Sequence, residues 1–175
     1  LHIRRRENGV CSEMIFGSEP KVKEKCIVRV KGPLGSFTLQ EDSGKPIILL
    51  ATGTGYAPIR SILLDLIRQD SSRPVHLYWG ARHQDDLYAL EEAQELTGRL
   101  KNARFIPVLS KADEGWQGEK GYVQTVAAKD YPDLSGYEVY ACGSVAMTES
   151  AKSVLTAQCN LPETTFYSDA FSPAQ

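Results

Sequence analysis

The sequence lacks the spacings from which metal sites are built. Its four cysteines, at 11, 26, 142 and 159, form no Cys-x-x-Cys pair, and His2, His76 and His83 stand singly. No zinc site and no iron–sulfur loop is expected, and reduced thiols are the simple reading. His76, inside an apolar strand, reads as a satisfied core residue, and no Ser/His/Asp order supports nucleophilic hydrolysis. Charge of one sign is lacking as well. With 20 Lys and Arg against 22 Asp and Glu the net charge is -2, which implies no general affinity for nucleic acid. No apolar run has the ~20 residues of a membrane span, and no signal peptide is expected ahead of the first strand, so the protein is expected to be cytoplasmic with no membrane partner.

What remains is an ordinary globular composition, 42% hydrophobic over 175 residues, enough for one good core or two small lobes. Residues 1–31 hold eight Lys or Arg against four Asp or Glu. That excess reads as a solvated strand surface in preference to a docking patch for an acidic partner. Leu1 to Arg6 alternates apolar and basic residues as a half-exposed strand does, and the chain, opening on Leu1 directly into it, reads as part of a longer polypeptide. Gly9 to Phe16 predicts a turn and a short helix capped by Ser12. Ile27 to Val30 predicts a second strand, closed by Gly32-Pro33-Leu34-Gly35, and Ser36 to Gln40 a third. The polar stretch Glu41 to Lys45 marks a boundary between a domain of residues 1–43 and one of residues 44–175.

Beyond it strands and helices alternate in pairs about thirty residues long. Strands are predicted at Ile47 to Ala51, Val75 to Trp79, Ala103 to Leu109, Glu138 to Ala141 and Thr165 to Tyr167. Helices are predicted at Ala57 to Gln69, Leu87 to Leu100, Gly121 to Lys129 and Val145 to Gln158. Such alternation predicts a five-stranded, parallel, doubly wound α/β sheet with right-handed crossovers. In these sheets ligands sit at the carboxyl ends of the strands, near a switch in strand order.

The chain's most informative stretch is Ile47 to Pro58. An unbroken apolar run reads as a strand buried on both faces, and it ends in Thr52-Gly53-Thr54-Gly55-Tyr56-Ala57-Pro58, a glycine turn with a proline suited to a helix's first turn. Such a turn lets backbone amides approach a pyrophosphate. The third glycine of Gly-x-Gly-x-x-Gly is absent, Pro58 standing in its place, and there is no Walker lysine. After the second strand, Gly80 permits a turn beside the first loop. Arg82 is either a partner for phosphate or adenine, or a solvent-facing cation next to a helix capped by Asp85 or Asp86. Ser110-Lys111 after the third strand is either a polar loop or a ribose or 2′-phosphate contact. Asp113 to Gly121, with three glycines and Trp116, is a shaped loop. After the fourth strand, Cys142-Gly143-Ser144 leads into a helix holding Met147. Residue chemistry alone favours a small buried cysteine there; a thiol beside a ligand and a helix N-terminus would have a lowered pKa.

Taken in order, Gly9-Val10-Cys11-Ser12, Gly32-Pro33-Leu34-Gly35-Ser36-Phe37, Thr52 to Pro58, Tyr78-Trp79-Gly80-Ala81-Arg82 and Tyr140-Ala141-Cys142-Gly143 resemble the ferredoxin–NADP reductase superfamily. The resemblance is closest to the reductase components of bacterial oxygenases and the CDP-6-deoxy-glucoseen reductase type. It implies that the C-terminal half of an antiparallel flavin-binding β-barrel precedes the sheet, and that FAD is held by His2, Ile3, Arg4, Gly9, Val10, Cys11 and Ser12. It further implies that NADH, or NADPH, is held by Thr52, Gly53, Thr54, Gly55, Ala57 and Pro58, with Gly80, Arg82, Ser110 and Lys111 near its adenosine end and Gly143 and Met147 beside the nicotinamide. Cys142 is implied as the catalytic cysteine and Phe171 as a ring that reaches the flavin. The family's Cys-Gly-Pro-Pro-x-Met stands here as Cys142-Gly143-Ser144-Val145-Ala146-Met147, without the prolines, and the family's Arg-x-Tyr-Ser flavin anchor lies outside these residues. The implied function is an FAD-dependent NAD(P)H reductase passing electrons to an iron–sulfur domain or an acceptor protein. A non-catalytic dinucleotide-binding fragment and a free-flavin reductase are the alternatives.

Overall fold

In the computed structural model, residues 1–32, 34–40 and 43–171 are described, and they divide into two compact units, Leu1–Ser36 and Phe37–Gln175. The first unit holds one regular element, α1 (Val10–Phe16). No strand forms among the described residues 1–40, so the three strands expected there are corrected. Alternation records which face of a strand would be wet; a strand itself exists only as a ladder, and among the described residues these segments pair with no neighbour. The cap is corrected too. Gly9 is the N-cap of α1, and Ser12, a turn further in, accepts a hydrogen bond from the Arg6 N–H at 2.8 Å, closing the preceding turn instead.

The second unit is a doubly wound α/β layer structure. Its sheet contains β1 (Ile47–Thr52), β2 (Val75–Ala81), β3 (Ala103–Leu109), β4 (Glu119–Lys120), β5 (Glu138–Ser144) and β6 (Phe166–Phe171), all parallel, in the order β4-β3-β2-β1-β5-β6. Five strands were expected and six are found: β4 is a two-residue edge strand inside the glycine-rich loop, too short to leave a periodic signal. Helices α2 (Tyr56–Arg68), α3 (Leu90–Gly98), α4 (Val123–Asp130) and α5 (Val145–Gln158) cover the faces. Along β1 every other residue serves one layer. Ile47, Leu49 and Ala51 join the core that includes Ile59, Leu63 and Leu66 of α2 and Ala93 and Leu96 of α3, while Ile48 and Leu50 join Val126 and Ala127 of α4 and Ala151 and Leu155 of α5. That two-sided burial is why the run is apolar without a break. Helix α3 is shorter at both ends than the expected Leu87 to Leu100; ahead of it Gln84–Asp86 form a separate 3₁₀ turn, in which the Asp86 carboxylate accepts from the His83 N–H.

Beneath the amino ends of the strands, Arg73 links three segments. Its guanidinium donates to the Lys45 carbonyl (2.7 Å), the Gln40 carbonyl (3.1 Å) and the Glu138 carboxylate (2.7 Å), which is 3% exposed. The Tyr140 hydroxyl also donates to Glu138 and accepts from the Gln40 N–H. Phe37 packs its ring edge-on against Tyr140. No helix among the described residues is long and apolar enough to cross a membrane.

Candidate functional site

The strand order reverses direction between β1 and β5: β2 to β4 lie on one side of β1, β5 and β6 on the other. The connections leaving β1 and β5 therefore diverge and open a crevice at their carboxyl ends. Three stretches of backbone meet there. The turn Gly53–Gly55 continues directly into α2, with Gly53 at φ +52°, a conformation that suits glycine. Gly55 lies so close to the Cys142 carbonyl that a Cβ would collide with it. Gly143, at φ +156°, has no room for a Cβ, which would collide with the Thr52 hydroxyl and stand 3.0 Å from the Met147 methyl. Backbone replaces side chains at the floor of the crevice, the arrangement needed for amides to approach a phosphate.

The missing prolines after Cys142 are made good by another device. Ser144 caps α5, its hydroxyl accepting from the Met147 N–H at 3.3 Å, so the helix still starts at Val145. Gly80 keeps the end of β2 free for its neighbours: a Cβ there would stand 2.7 Å from Val123 and 3.3 Å from the Thr52 methyl.

Cys142 is fully buried, between Ala51 of β1 and Asp169 of β6 in the strand register. Burial, and secondarily the Asp169 carboxylate, push its thiol up to about 12. The small buried cysteine favoured by residue chemistry is what stands here, and the lowered pKa of the alternative is not found, because desolvation and a like charge both oppose the thiolate. Below the ordinary thiol range the folded and unfolded chains both keep the proton. As pH rises above about 9 the unfolded chain releases a proton that the folded chain retains, and stability falls. Iodoacetamide at pH 8 is accordingly expected to label the exposed Cys11 and Cys26 of the native protein and to reach the buried Cys142 and Cys159 only after denaturation. Mass spectrometry reads this directly, and native labelling of Cys142 at the rate of Cys11 would contradict it.

The remaining site residues fall in three places. Arg82, Ser110 and Lys111 are together and exposed at the ends of β2 and β3, where the Lys111 N–H donates to the Arg82 carbonyl and the Ser110 N–H to that of Ala81. Phe171 ends β6 opposite Ser144 and is 41% exposed. From β3 to β6 is four strand spacings, or about 19 Å, with the β1 turn in between. His2, Ile3, Arg4, Gly9, Val10, Cys11 and Ser12 all belong to the first unit, the last four at the start of α1. Sequence reasoning missed Asp169, which only strand register brings beside Cys142, and Trp79, whose Nε1–H donates to the Gly53 carbonyl at 3.1 Å. An aromatic inside an apolar strand looks like core, and Trp79 is core as well.

Residues 49–153 match the family described as Oxidoreductase NAD-binding domain. The chain belongs to this family. The NAD-binding domain and its flanks are 39% identical over 175 residues to the CDP-6-deoxy-L-threo-D-glycero-4-hexulose-3-dehydrase reductase of Yersinia pestis, covering 100% of this chain and 51% of that protein. Identity to an NAD(P)H-flavin reductase of Vibrio harveyi is 32%, over 98% of this chain and 73% of that one. Among solved structures, the Amycolatopsis cytochrome P450 reductase GcoB superposes with a TM-score of 0.83 at 30% identity, over 100% of this chain and 52% of that one. The ferredoxin reductase in carbazole 1,9a-dioxygenase shares the fold, with a TM-score of 0.78 at 21% identity over 97% and 50% of the two chains. The resemblance read from five motifs is borne out. The chain spans about half the length of curated relatives such as the dehydrase reductase.

Proposed function

We propose that the protein is an FAD-dependent NAD(P)H reductase, with residues 44–175 as its nicotinamide-dinucleotide domain and residues 1–43 as the closing half of its flavin-binding barrel. The observation that carries this reading is the convergence of the Gly53–Gly55 turn and Cys142–Gly143 at the switch in strand order, a floor made of backbone. The fit to a dinucleotide is chemical as well as steric. The Thr54 and Gly55 amides of the turn are the N–H groups assigned to a pyrophosphate, and the Arg82 and Lys111 cations are assigned to its adenosine side. When bound, nicotinamide and flavin would supply the redox chemistry, hydride transfer followed by single-electron delivery to an iron–sulfur centre or acceptor protein.

The chain's own groups bind and orient. Thr52 to Pro58 hold the pyrophosphate. Cys142, protonated across the physiological range and fully buried, helps to position the nicotinamide as a compact packing group behind the crevice floor; it is no nucleophile. Phe171 is the candidate gate. Phe171→Ala is expected to alter both the hydride-transfer rate and the nicotinamide-dinucleotide affinity by about fivefold, the equivalent of one aromatic contact worth about 1 kcal/mol. Stopped-flow reduction and a binding titration check this, and no change in either removes Phe171 from the site.

NADH is the expected electron donor, with Arg82 and Lys111 the residues that argue for NADPH; the ratio of the two specificity constants decides. The reading as a whole is tested by the visible absorption spectrum of the polypeptide in its full natural length. Flavin bound near 1:1, bleached by NADH or NADPH, supports it, whereas failure to hold or be reconstituted with FAD refutes it. A free-flavin reductase is the second reading, favoured by the 73% coverage of the Vibrio harveyi flavin reductase. It predicts activity only with added flavin.

A further inference from the structure

We propose that Trp79 is a positioning residue for the dinucleotide, setting the direction of the Thr54 N–H through its bond to Gly53; this rests on the reading of the Gly53–Gly55 turn as the pyrophosphate loop. Trp79 is fully buried in β2, one strand away from the turn. Its ring is stacked on that of Tyr56, centroids 4.2 Å apart and planes 15° from parallel, and it meets Tyr88 edge-on at 5.3 Å. Held on both sides, the indole has little freedom to rotate, and its single donor is aimed at the Gly53 carbonyl at 3.1 Å.

The consequence follows from peptide geometry. The Gly53 carbonyl and the Thr54 N–H belong to one planar trans unit and point to opposite sides of it. A carbonyl drawn inward to a fully buried indole therefore turns the Thr54 N–H away from the core, toward the crevice. The same carbonyl also accepts from the Tyr56 N–H, the bond that closes the turn at the start of α2. Gly53 has a positive φ, and glycine visits several such conformations at similar cost, so the bond from Tyr56 leaves this plane freer than it would be at another residue. The indole N–H adds the second restraint. A phenylalanine at position 79 would preserve most of the packing and none of the direction.

The test uses the holoprotein in its full natural length. Trp79→Phe is expected to raise the KM for the nicotinamide dinucleotide about tenfold, the scale of one well-placed hydrogen bond to a charged group. The Kd of the oxidised dinucleotide, measured by calorimetry, should rise in parallel, while kcat stays within about twofold and bound flavin per chain is unchanged. Tyr88→Leu disturbs the same aromatic cluster by removing the ring that meets Trp79 edge-on and leaves the bond to Gly53 intact, so its KM should stay within about twofold of the parent. Should Trp79→Phe not fold, benzothienylalanine at position 79 keeps the bicyclic ring and removes only the N–H, and the same tenfold rise is expected.

An unchanged KM in the folded variant overturns the inference, as does an equal rise in Tyr88→Leu, which would mean that packing alone matters. A parent protein that binds no dinucleotide overturns the proposed function and this inference together. One that binds it while Trp79→Phe is unaffected overturns the inference alone.

Discussion

Arg73→Ala is expected to lower the thermal midpoint by roughly 10 °C, the largest loss of stability from any single side chain beneath the sheet. The partner carboxylate explains the size. Burial by itself pushes the Glu138 carboxyl up, and hydrogen bonds from Ser43, Arg73 and Tyr140 with the charge of Arg73 more than offset this and hold it below the ordinary carboxylate value. Removing the guanidinium leaves a carboxylate that is 3% exposed with a charge it cannot hydrate, at a cost of about 3–5 kcal/mol. It also frees the Lys45 and Gln40 carbonyls. Because the folded pKa of Glu138 is depressed, the contribution is complete above the ordinary carboxylate range and is lost as pH falls through the folded value. The deficit of Arg73→Ala relative to the parent should therefore shrink in acid, in melts recorded from pH 7 down to pH 3. The exposed Lys101–Asp70 pair makes a useful contrast, since its removal should leave the midpoint almost unmoved.

Gly55→Ala is expected to damage stability and dinucleotide binding together. Gly55 has ordinary helical dihedrals (φ -59°, ψ -13°), so conformational strain is not the reason. The reason is space: the added methyl overlaps the Cys142 carbonyl, which is backbone of a central strand and cannot move aside. Overpacking of this kind costs about 1–3 kcal/mol. Relief requires the start of α2 to shift away from β5, displacing the amides that face the crevice, so the dinucleotide Kd should rise by at least tenfold, on the scale of ~1.4 kcal/mol. Gly98→Ala is the control. At the end of α3 a Cβ meets nothing within 4 Å, and helix propensity makes that change neutral or slightly stabilising. If the two variants melt and bind alike, the close approach at Gly55 has no functional weight.

Much of the second unit was legible because its signals are local. The β3 limits, Ala103–Leu109, and the α5 limits, Val145–Gln158, agree with those expected from hydrophobic run and turn residues alone. Pro58, which displaces the third glycine of the dinucleotide pattern, sits in the first turn of α2, where its missing N–H costs nothing. The strand after the last helix extends to Phe171, beyond the Tyr167 expected, because pairing with β5 rather than composition sustains it through Ser168, Asp169 and Ala170. Non-local effects stayed hidden for the same reason. Neither the raised thiol of Cys142, set by burial and a carboxylate 27 positions on, nor the bond from Trp79 to a turn 26 residues earlier has any trace in local spacing.

The place of β1 in the sheet also dictates when the crevice can be made. Its first residue pairs with Val75 on one edge but with Glu138, 91 positions later, on the other. Closing so long a loop is entropically costly and slow, and topologies rich in such pairings fold late. During synthesis, β1 to β3 and their helices can assemble early, yet one edge of the most apolar strand stays bare until β5 has left the ribosome. The glycine turn acquires its opposite wall only then, so the nascent chain carries a sticky open edge while the 91 positions from Ile47 to Glu138 are being made.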